Sequence, residues 1–290
     1  MAKINKHQHL DGELGRFIAK ASKRNEPLEA FRDTESFKQF NEGLERALNK
    51  QAEWTAKHLS ESPGIELEAT ADNIDMIVQD AGAWLNNNMP RLNEFLSENR
   101  VYTYLRNGFV FSVEAQYMRY GLNIKKAVKG EYVDFKLTNE NYIATLKSAA
   151  KVLLTRSTAD ETTKTRLAAI IREYKLAGVT IDELAAIIRS EFIDKISPVR
   201  AFMIANTETN NAMSIAQKAF MVENGVKKKR WIPAGPSTCD VCEGNADDGD
   251  IPVDDPFSSG DDRPAAHPNC ECYLEAGEID LESIDIWTGQ

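Results

Sequence analysis

Apolar side chains recur at steps of three and four residues through the first two thirds of the chain, which is the period of an amphipathic helix. Residues 31–59 carry this period at Phe37, Phe40, Leu44, Leu48 and Trp54. The Ser-Pro-Gly triplet at 62–64 predicts the end of this first helix. The same period predicts a second helix over about residues 69–86 and a third directly after Pro90.

Two capping boxes predict the next helices. In a capping box, a threonine side chain caps the helix and a glutamate three residues later bonds to the backbone N–H of that threonine. This spacing occurs twice, in Thr158 with Glu161 and in Thr180 with Glu183. Each box precedes residues with helical apolar spacing, and Gly178 supplies the stop between them. Two short helices joined by a tight turn are therefore predicted.

A longer helix is predicted from Ser197-Pro198, an N-cap followed by proline at the first helical position, to Asn224-Gly225. Residues 102–135 are rich in Tyr, Phe and Val and contain three glycines, so their pattern does not separate strand from helix. The predicted fold is mainly α, and α+β overall: a helical body with a small irregular C-terminal β module.

The predicted organisation has five parts. They are a polar N-terminal arm (1–30), an N-terminal helical region (31–135), a second helical part (136–235), a Cys/His metal-binding module (236–275) and an acidic C-terminal tail (276–290).

The 290 residues are 42% hydrophobic, enough for one large domain or two ordinary ones. No stretch has the roughly 20 consecutive apolar residues of a membrane span, and the N-terminus lacks the apolar core of a signal peptide. We therefore expect a soluble protein without membrane contact that is synthesised in the cytoplasm.

Charge is distributed unevenly along the chain. The net charge is −10, but residues 236–290 hold fifteen Asp and Glu against the single basic residue Arg263, so the rest is slightly positive. Because an acidic segment repels phosphate, any DNA contact is expected in the body. The basic run Lys227, Lys228, Lys229 and Arg230 is most simply a solvated edge, although it could contact phosphate or an acidic partner, or pair with the tail.

Five candidate metal ligands are clustered near the C-terminus: Cys239, Cys242, His267, Cys270 and Cys272. A C-x2-C pair can bring two thiolates to one tetrahedral Zn²⁺, and the cysteines are too clustered for an ordinary disulfide framework. Since zinc normally takes four ligands, one candidate should lie outside the coordination shell. If the last segment is extended, Cys270 and Cys272 point to opposite faces, which favours Cys239, Cys242, His267 and Cys272.

The module is too poor in large apolar residues to offset the entropy of ordering it, which predicts a structural zinc. Two alternatives stay open. One is a metal-dependent enzyme acting on nucleic acid or protein, with His267 at an open zinc position. The other is a pair of disulfides formed outside the cell. No general-base motif, Walker loop or nucleophile elbow is present, so we expect no enzyme.

The ordered motifs of the tail closely resemble the phage Mu F-like family of minor head proteins, also called the phage head morphogenesis domain. They are Lys229-Arg230-Trp231, Cys239-x2-Cys242, Asp248-Gly249, Pro256-Phe257 and the segment 264–272, Pro-Ala-Ala-His-Pro-Asn-Cys-Glu-Cys. Upstream, Ala205-Asn206-Thr207-Glu208 stands where the family tends to show Ala-Arg-Thr-Glu. The resemblance covers about residues 140–275.

The resemblance implies a minor protein of the phage head that associates with the portal protein and the major capsid protein. It implies a role in capsid assembly or in DNA packaging and delivery, with localisation in the virion head.

Two departures from the family pattern each remove a positive charge. Asn206 replaces the usual arginine of the Thr-Glu box, and Glu271 replaces the usual basic residue between the last two cysteines. Glu208, which ends the box, is a candidate contact to the module. A DNA-binding accessory protein is a further functional alternative.

Overall fold

The computed structural model describes residues 27–120, 140–155, 157–234 and 238–277. Most of the predicted N-terminal arm, residues 121–135 of the Tyr- and Phe-rich stretch, and nearly all of the acidic tail lie outside the described residues.

The described chain is mostly helical and ends in a small sheet, so the predicted fold class is confirmed. The α-helices of the described residues are α1 (Pro27–Arg32), α2 (Glu35–His58), α3 (Ile74–Asn88), α4 (Leu92–Phe95), α5 (Glu98–Arg119), α6 (Glu140–Thr155), α7 (Ser157–Leu176), α8 (Ile181–Glu191), α9 (Ser197–Glu223) and α10 (Asp240–Asp247). A 3-10 turn (Leu59–Glu61) follows α2, and a π-helical turn (Phe192–Ile196) joins α8 to α9. The strands are β1 (Lys228–Ile232), β2 (Ile251–Pro252) and β3 (Tyr273–Ala276). Among the described helices, none combines the length and apolarity of a membrane span.

Most predicted helices are present, but some begin or end at residues other than those predicted from the sequence. The second begins at Ile74 instead of about residue 69, because Asn73 bonds to the backbone of Thr70 and Glu68 and closes a turn. The capping box of Thr180 and Glu183 forms at the start of α8. The side chains of Thr158 and Glu161 are outside those described, so that capping box stays a prediction.

Two regions differ from the sequence expectation. Residues 27–30, assigned to the arm, belong to α1, and Leu28 and Ala30 are buried. Residues 102–119, for which strand and helix could not be separated, are part of α5. Gly108 lies inside this helix at a cost of about 1 kcal/mol relative to alanine, and the packing of Phe109 and Phe111 outweighs its low propensity.

The chain divides into two compact units. One comprises residues 41–101 and 148–202, and its core joins buried side chains of α2, α3, α7 and α8. Trp54 stacks on Trp84 with ring centroids 5.4 Å apart. Gln51 donates to the carbonyl of Pro90 at 2.8 Å and holds the chain between α3 and α4.

The other unit comprises the described residues of 1–40, 102–147 and 203–290. Its core is aromatic: Phe31 of α1 meets Phe111 of α5 edge to face with ring centroids 5.2 Å apart. Ser112 of α5 donates to the carbonyl of Met213 on α9, and Tyr120 stacks on Phe220. These contacts bring the N-terminal helix, α5 and α9 together as a support for the sheet and the loops that follow.

The sheet has the order β2-β1-β3, and both pairings are antiparallel. Trp231 of β1 lies opposite Leu274 of β3, and both are fully buried. Because β1 is the central strand, the folded module includes Lys228–Ile232, residues that the sequence assigned to the preceding helical part.

Candidate metal centre

The first two candidate ligands are positioned by the short helix α10. Cys239 is the residue that precedes the helix, with φ −87° and ψ 160°, and Cys242 lies in its first turn. Cys242 is 1% exposed, whereas Cys239 is half-buried. The short helix therefore places both sulfur-bearing residues at its N-terminal end.

The other three candidates lie in the loop that leads into β3. His267 is half-buried, and Cys270 and Cys272 are buried. Between them, Asn269 has φ 59°, a left-handed conformation that asparagine tolerates better than most residues. This bend turns the loop between His267 and Cys270.

The five candidates converge on Cys242. Its sulfur belongs to two groups whose ligand atoms lie within 4.8 Å of one another, namely Cys239-Cys242-His267 and Cys242-Cys270-Cys272. The Sγ atom of Cys242 is 3.3 Å from Nε2 of His267 and 3.8 Å from Sγ of Cys270. The structure therefore brings together all five residues that the sequence singled out.

These separations fit a tetrahedral zinc ion. Two sulfurs bound to one Zn²⁺ at about 2.3 Å are about 3.8 Å apart, and a sulfur and a nitrogen are about 3.5 Å apart. The corresponding distances from Cys242 are 3.8 Å and 3.3 Å. Soft sulfur and imidazole donors also suit Zn²⁺ better than a hard cation such as Mg²⁺ or Ca²⁺.

The imidazole of His267 is oriented for metal binding through Nε2. Its Nδ1 atom lies 2.9 Å from the carbonyl oxygen of Pro268, which can only accept a hydrogen bond. Nδ1 therefore donates this hydrogen bond, and Nε2 is the ring nitrogen that faces Cys242. A backbone carbonyl commonly orients a metal-binding histidine in this way.

Burial and mutual hydrogen bonds shift the pKa values of the buried thiols. Burial raises the pKa of Cys242 to about 12. The pKa of Cys270 is also raised, first by its hydrogen bond to Cys272 and then by burial, whereas the thiol of Cys270 stabilises the thiolate of Cys272 and lowers its pKa to about 5. Because burial disfavours charge on these thiols, a bound cation would be needed to hold several of them as thiolates.

All four cysteines are free thiols in the structure. The segment 270–272 precedes β3 and is not part of it, and Cys270 approaches Cys242 as closely as a common ligand would. The argument that Cys270 and Cys272 point to opposite faces of an extended strand therefore does not apply, and Cys270 remains a candidate ligand. The shell of Cys239, Cys242, His267 and Cys272 stays a prediction.

Helix α9 supports the loop through buried polar side chains that sequence reasoning missed. The amide of Asn210 donates to the carbonyls of Cys270 at 2.8 Å and Cys272 at 3.0 Å. Gln217 accepts from the backbone N–H of Leu274 at 2.9 Å. Together with Asn206 these residues form a polar stripe at steps of four and seven, the one signal in the sequence that could have identified them.

Helix α5 holds the neighbouring strand. The guanidinium of Arg119 lies 3.0 Å from the carboxylate of Glu275, and the hydroxyl of Tyr120 accepts from the backbone N–H of Ala276 at 3.0 Å. Nothing in the local sequence around these two residues points to this role, because it depends on the packing of distant segments.

The four residues of the predicted basic run do not share one environment, because side chains of β1 point alternately to its two faces. Lys229 is fully buried and donates to the carbonyl oxygen of Asp262 at 2.7 Å and to its carboxylate at 2.9 Å. Burial lowers the pKa of this amine; the hydrogen bond and charge of Asp262 raise it again, but the net pKa stays below its usual value. Arg230 bonds Asp250 at 2.7 Å, while Lys227 and Lys228 are exposed. Two of the four charges thus pair with the acidic module.

Glu208 is half-buried on α9. The Tyr104 hydroxyl, which bonds Thr209, has a raised pKa. Burial is the largest cause, and the negative charge of Glu208 raises the pKa further. A contact between Glu208 and the metal module stays a prediction.

The buried donors, the oriented imidazole and the helix N-terminus together make a site that could hold one metal ion. Comparisons of the chain with protein-family models, with curated proteins and with solved structures found no match.

Proposed function

We propose that this chain is a minor head protein of a tailed bacteriophage, which associates with the portal vertex and acts in head assembly and in DNA packaging or delivery. One observation carries the proposal: the two separate segments that resemble the phage Mu F-like family meet in space. Asn206 donates to Asn269 at 2.8 Å, and the backbone N–H of Asn269 donates to Thr207 at 2.8 Å.

This contact supports the resemblance because the two segments are 62 or more residues apart in the sequence. Two chance matches to a family motif would have no reason to touch. Here the Thr-Glu box of α9 lies directly against the His-Pro-Asn-Cys loop, and Asn210, one helical turn further, binds the carbonyls of Cys270 and Cys272. The box and the loop therefore act as one structural element.

We further propose that the five candidate ligands hold one structural Zn²⁺. Five candidates are enough to supply a shell of four protein ligands, which would leave no position for a substrate and favours a structural over a catalytic ion. When bound, the ion supplies the charge that stabilises several buried thiolates, on the order of 10 kcal/mol for structural zinc sites. No specific contact in the described residues favours the enzyme or the DNA-binding alternative.

Co-expression with the portal protein of the same phage tests the assignment. We expect this chain to be retained by an affinity-tagged portal and to elute with it in size-exclusion chromatography. An unrelated portal protein is the matched control. Loss of this chain under conditions in which the major capsid protein still binds the portal would overturn the proposal.

Metal analysis of the purified chain tests the zinc site separately. We expect about one zinc per chain, and less in serine variants of the ligating cysteines and in His267→Ala. The fifth, non-ligating residue should tolerate substitution without loss of zinc. Absence of any bound metal after purification with added zinc would contradict the site.

A further inference from the structure

A positively charged side chain from a distant segment lies against the candidate metal loop. Arg32, the last residue of α1, donates from Nε and Nη2 to the side-chain oxygen of Asn206 at 2.8 and 2.6 Å. The same Nη2 atom bonds the carboxylate of Glu271. Arg32 thus connects α1 with both α9 and the metal loop.

We infer that Arg32 is a positioning residue of the metal centre: it neutralises Glu271 and holds the ligand loop against α9. The inference rests on the proposed zinc site. Glu271 lies between two candidate ligands in sequence, so a contact that holds its side chain also holds the loop backbone that carries Cys270 and Cys272.

Electrostatics supply the first reason for this role. A Zn²⁺ ion with three thiolates and one imidazole carries one net negative charge, and a fourth thiolate would add another. The Glu271 carboxylate adds a further negative charge, and its side chain is only 26% exposed. Without Arg32, at 20% exposure, an uncompensated carboxylate would stand beside an anionic metal centre.

Geometry supplies the second reason. Asn206 accepts from Arg32 with its oxygen and donates from its nitrogen to Asn269, the left-handed residue of the loop. The planar guanidinium can contact two acceptors in fixed directions, whereas a lysine ammonium has no such fork. Arg32 therefore fixes the orientation of Asn206 as well as the position of Glu271.

Arg32 is a common partner of α9 and the metal loop, since it contacts both Asn206 and Glu271. It follows that the docking of α1 and the affinity for metal are coupled, each strengthening the other.

Zinc affinity of the full-length chain, measured by competition with a chromophoric chelator, tests this role. We expect Arg32→Met to bind zinc about tenfold more weakly, the scale of outer-shell substitutions at metal sites. Adding Glu271→Gln should restore affinity to within about threefold of wild type, because the uncompensated charge is removed. A residue needed only for folding would not be rescued in this way.

Two further variants complete the design. Arg32→Lys keeps the charge but cannot span Asn206 and Glu271, so we expect it to bind about threefold more weakly. Arg46→Met is the matched control, since Arg46 pairs with Glu42 on an exposed surface at 3.4 Å. Its zinc affinity should stay within about twofold of wild type.

The outcomes separate this inference from the metal site itself. Wild-type affinity in Arg32→Met, or a double variant as weak as the single one, would overturn the role of Arg32 and leave the zinc site standing. If Arg32→Met does not fold, wild-type affinity in Arg32→Lys overturns it instead. Failure of the wild-type chain to bind zinc or cobalt would overturn both.

Discussion

Cys242 has the most central position among the candidate ligands. It is the only residue shared by the two donor groups, and it is buried in the first turn of α10. Cys239 belongs to one group only and lies nearer the surface. The two cysteines of one C-x2-C motif are therefore expected to differ in importance.

We expect Cys242→Ser to abolish stable zinc binding and Cys239→Ser to weaken it less, because the second variant keeps Cys242 together with the three donors His267, Cys270 and Cys272. Zinc content by mass spectrometry, with the charge-transfer spectrum of the cobalt-substituted protein, measures the difference. Equal zinc loss in both variants would contradict the more central role of Cys242.

Asp262 is the acceptor for three cations, Lys218 at 2.6 Å, Lys229 at 2.9 Å and Arg263 at 3.4 Å. Burial raises the pKa of this carboxyl, but the hydrogen bonds from the two lysines outweigh it, so the net pKa is lowered. A carboxyl whose folded pKa lies below its unfolded value stabilises the fold above the unfolded pKa. That contribution is lost as the pH falls through the folded value.

The stability difference between the wild type and Asp262→Asn should therefore be largest near neutral pH and shrink below about pH 4, near the unperturbed aspartate pKa. Urea unfolding across this range measures it. Asp72→Asn, which changes an exposed carboxylate, serves as control. A difference that is constant with pH would contradict the pairing of Asp262 with the lysines.

Among the elements, α8 shows how local sequence alone can define a helix. Thr180 accepts from the backbone N–H of Glu183 at 3.3 Å, and Glu183 accepts from the backbone N–H of Thr180 at 2.8 Å. Both partners lie within four residues, so no tertiary contact is needed to form the box.

We expect Thr180→Ala to lower the free energy of unfolding by about 1 kcal/mol, because it removes the cap of α8. Thermal or urea unfolding measures the change. Thr145→Ala is the matched control, since Thr145 is exposed inside α6 and alanine has the higher helix propensity. A stability loss as large in the control would mean that the cap contributes nothing specific.

Strand β1 shows where a linear pattern is insufficient. Four consecutive basic residues predict a solvated edge, but a strand turns alternate side chains to opposite faces. Lys229 is consequently buried on the side of Trp231 and Asp262, while Lys228 and Arg230 are exposed. The pairing of β1 with β2 and β3, which decides this, involves partners more than twenty residues away.

For the whole molecule, the expected effect of metal removal is local. Residues 236–275 are poor in large apolar side chains, whereas the unit of residues 41–101 and 148–202 has an extensive apolar core. We expect a zinc chelator to increase amide hydrogen exchange in β1, α10 and the 267–276 segment, and to leave the cores of α3, α7 and α8 protected. Restoring zinc should reverse the change.

Hydrogen exchange monitored by mass spectrometry resolves these segments. Unchanged protection of α10 and β3 in the metal-free chain would mean that contacts from α9, such as those of Asn210 and Gln217, are sufficient to order the module without metal.

The sequence by itself determined the features that depend on near neighbours: the helices with capping and apolar period, the helical class of the body, and the five candidate ligands. Cys239 and Cys242 could be paired from sequence because their spacing is local. Their convergence with His267, Cys270 and Cys272 could be proposed but not measured.

Only the tertiary structure decided the features that depend on distant segments. The helical state of residues 102–119, the burial of Lys229, and the support of the metal loop by Asn210 and Arg32 all arise from contacts across tens to hundreds of residues. A side chain such as Arg32 has no distinguishing local pattern, since its role comes from the position of Asn206 and Glu271 after folding. Apolar periodicity and helix capping involve residues close in sequence, whereas charge compensation joins residues that are close in space but distant in sequence, such as Arg32 and Glu271.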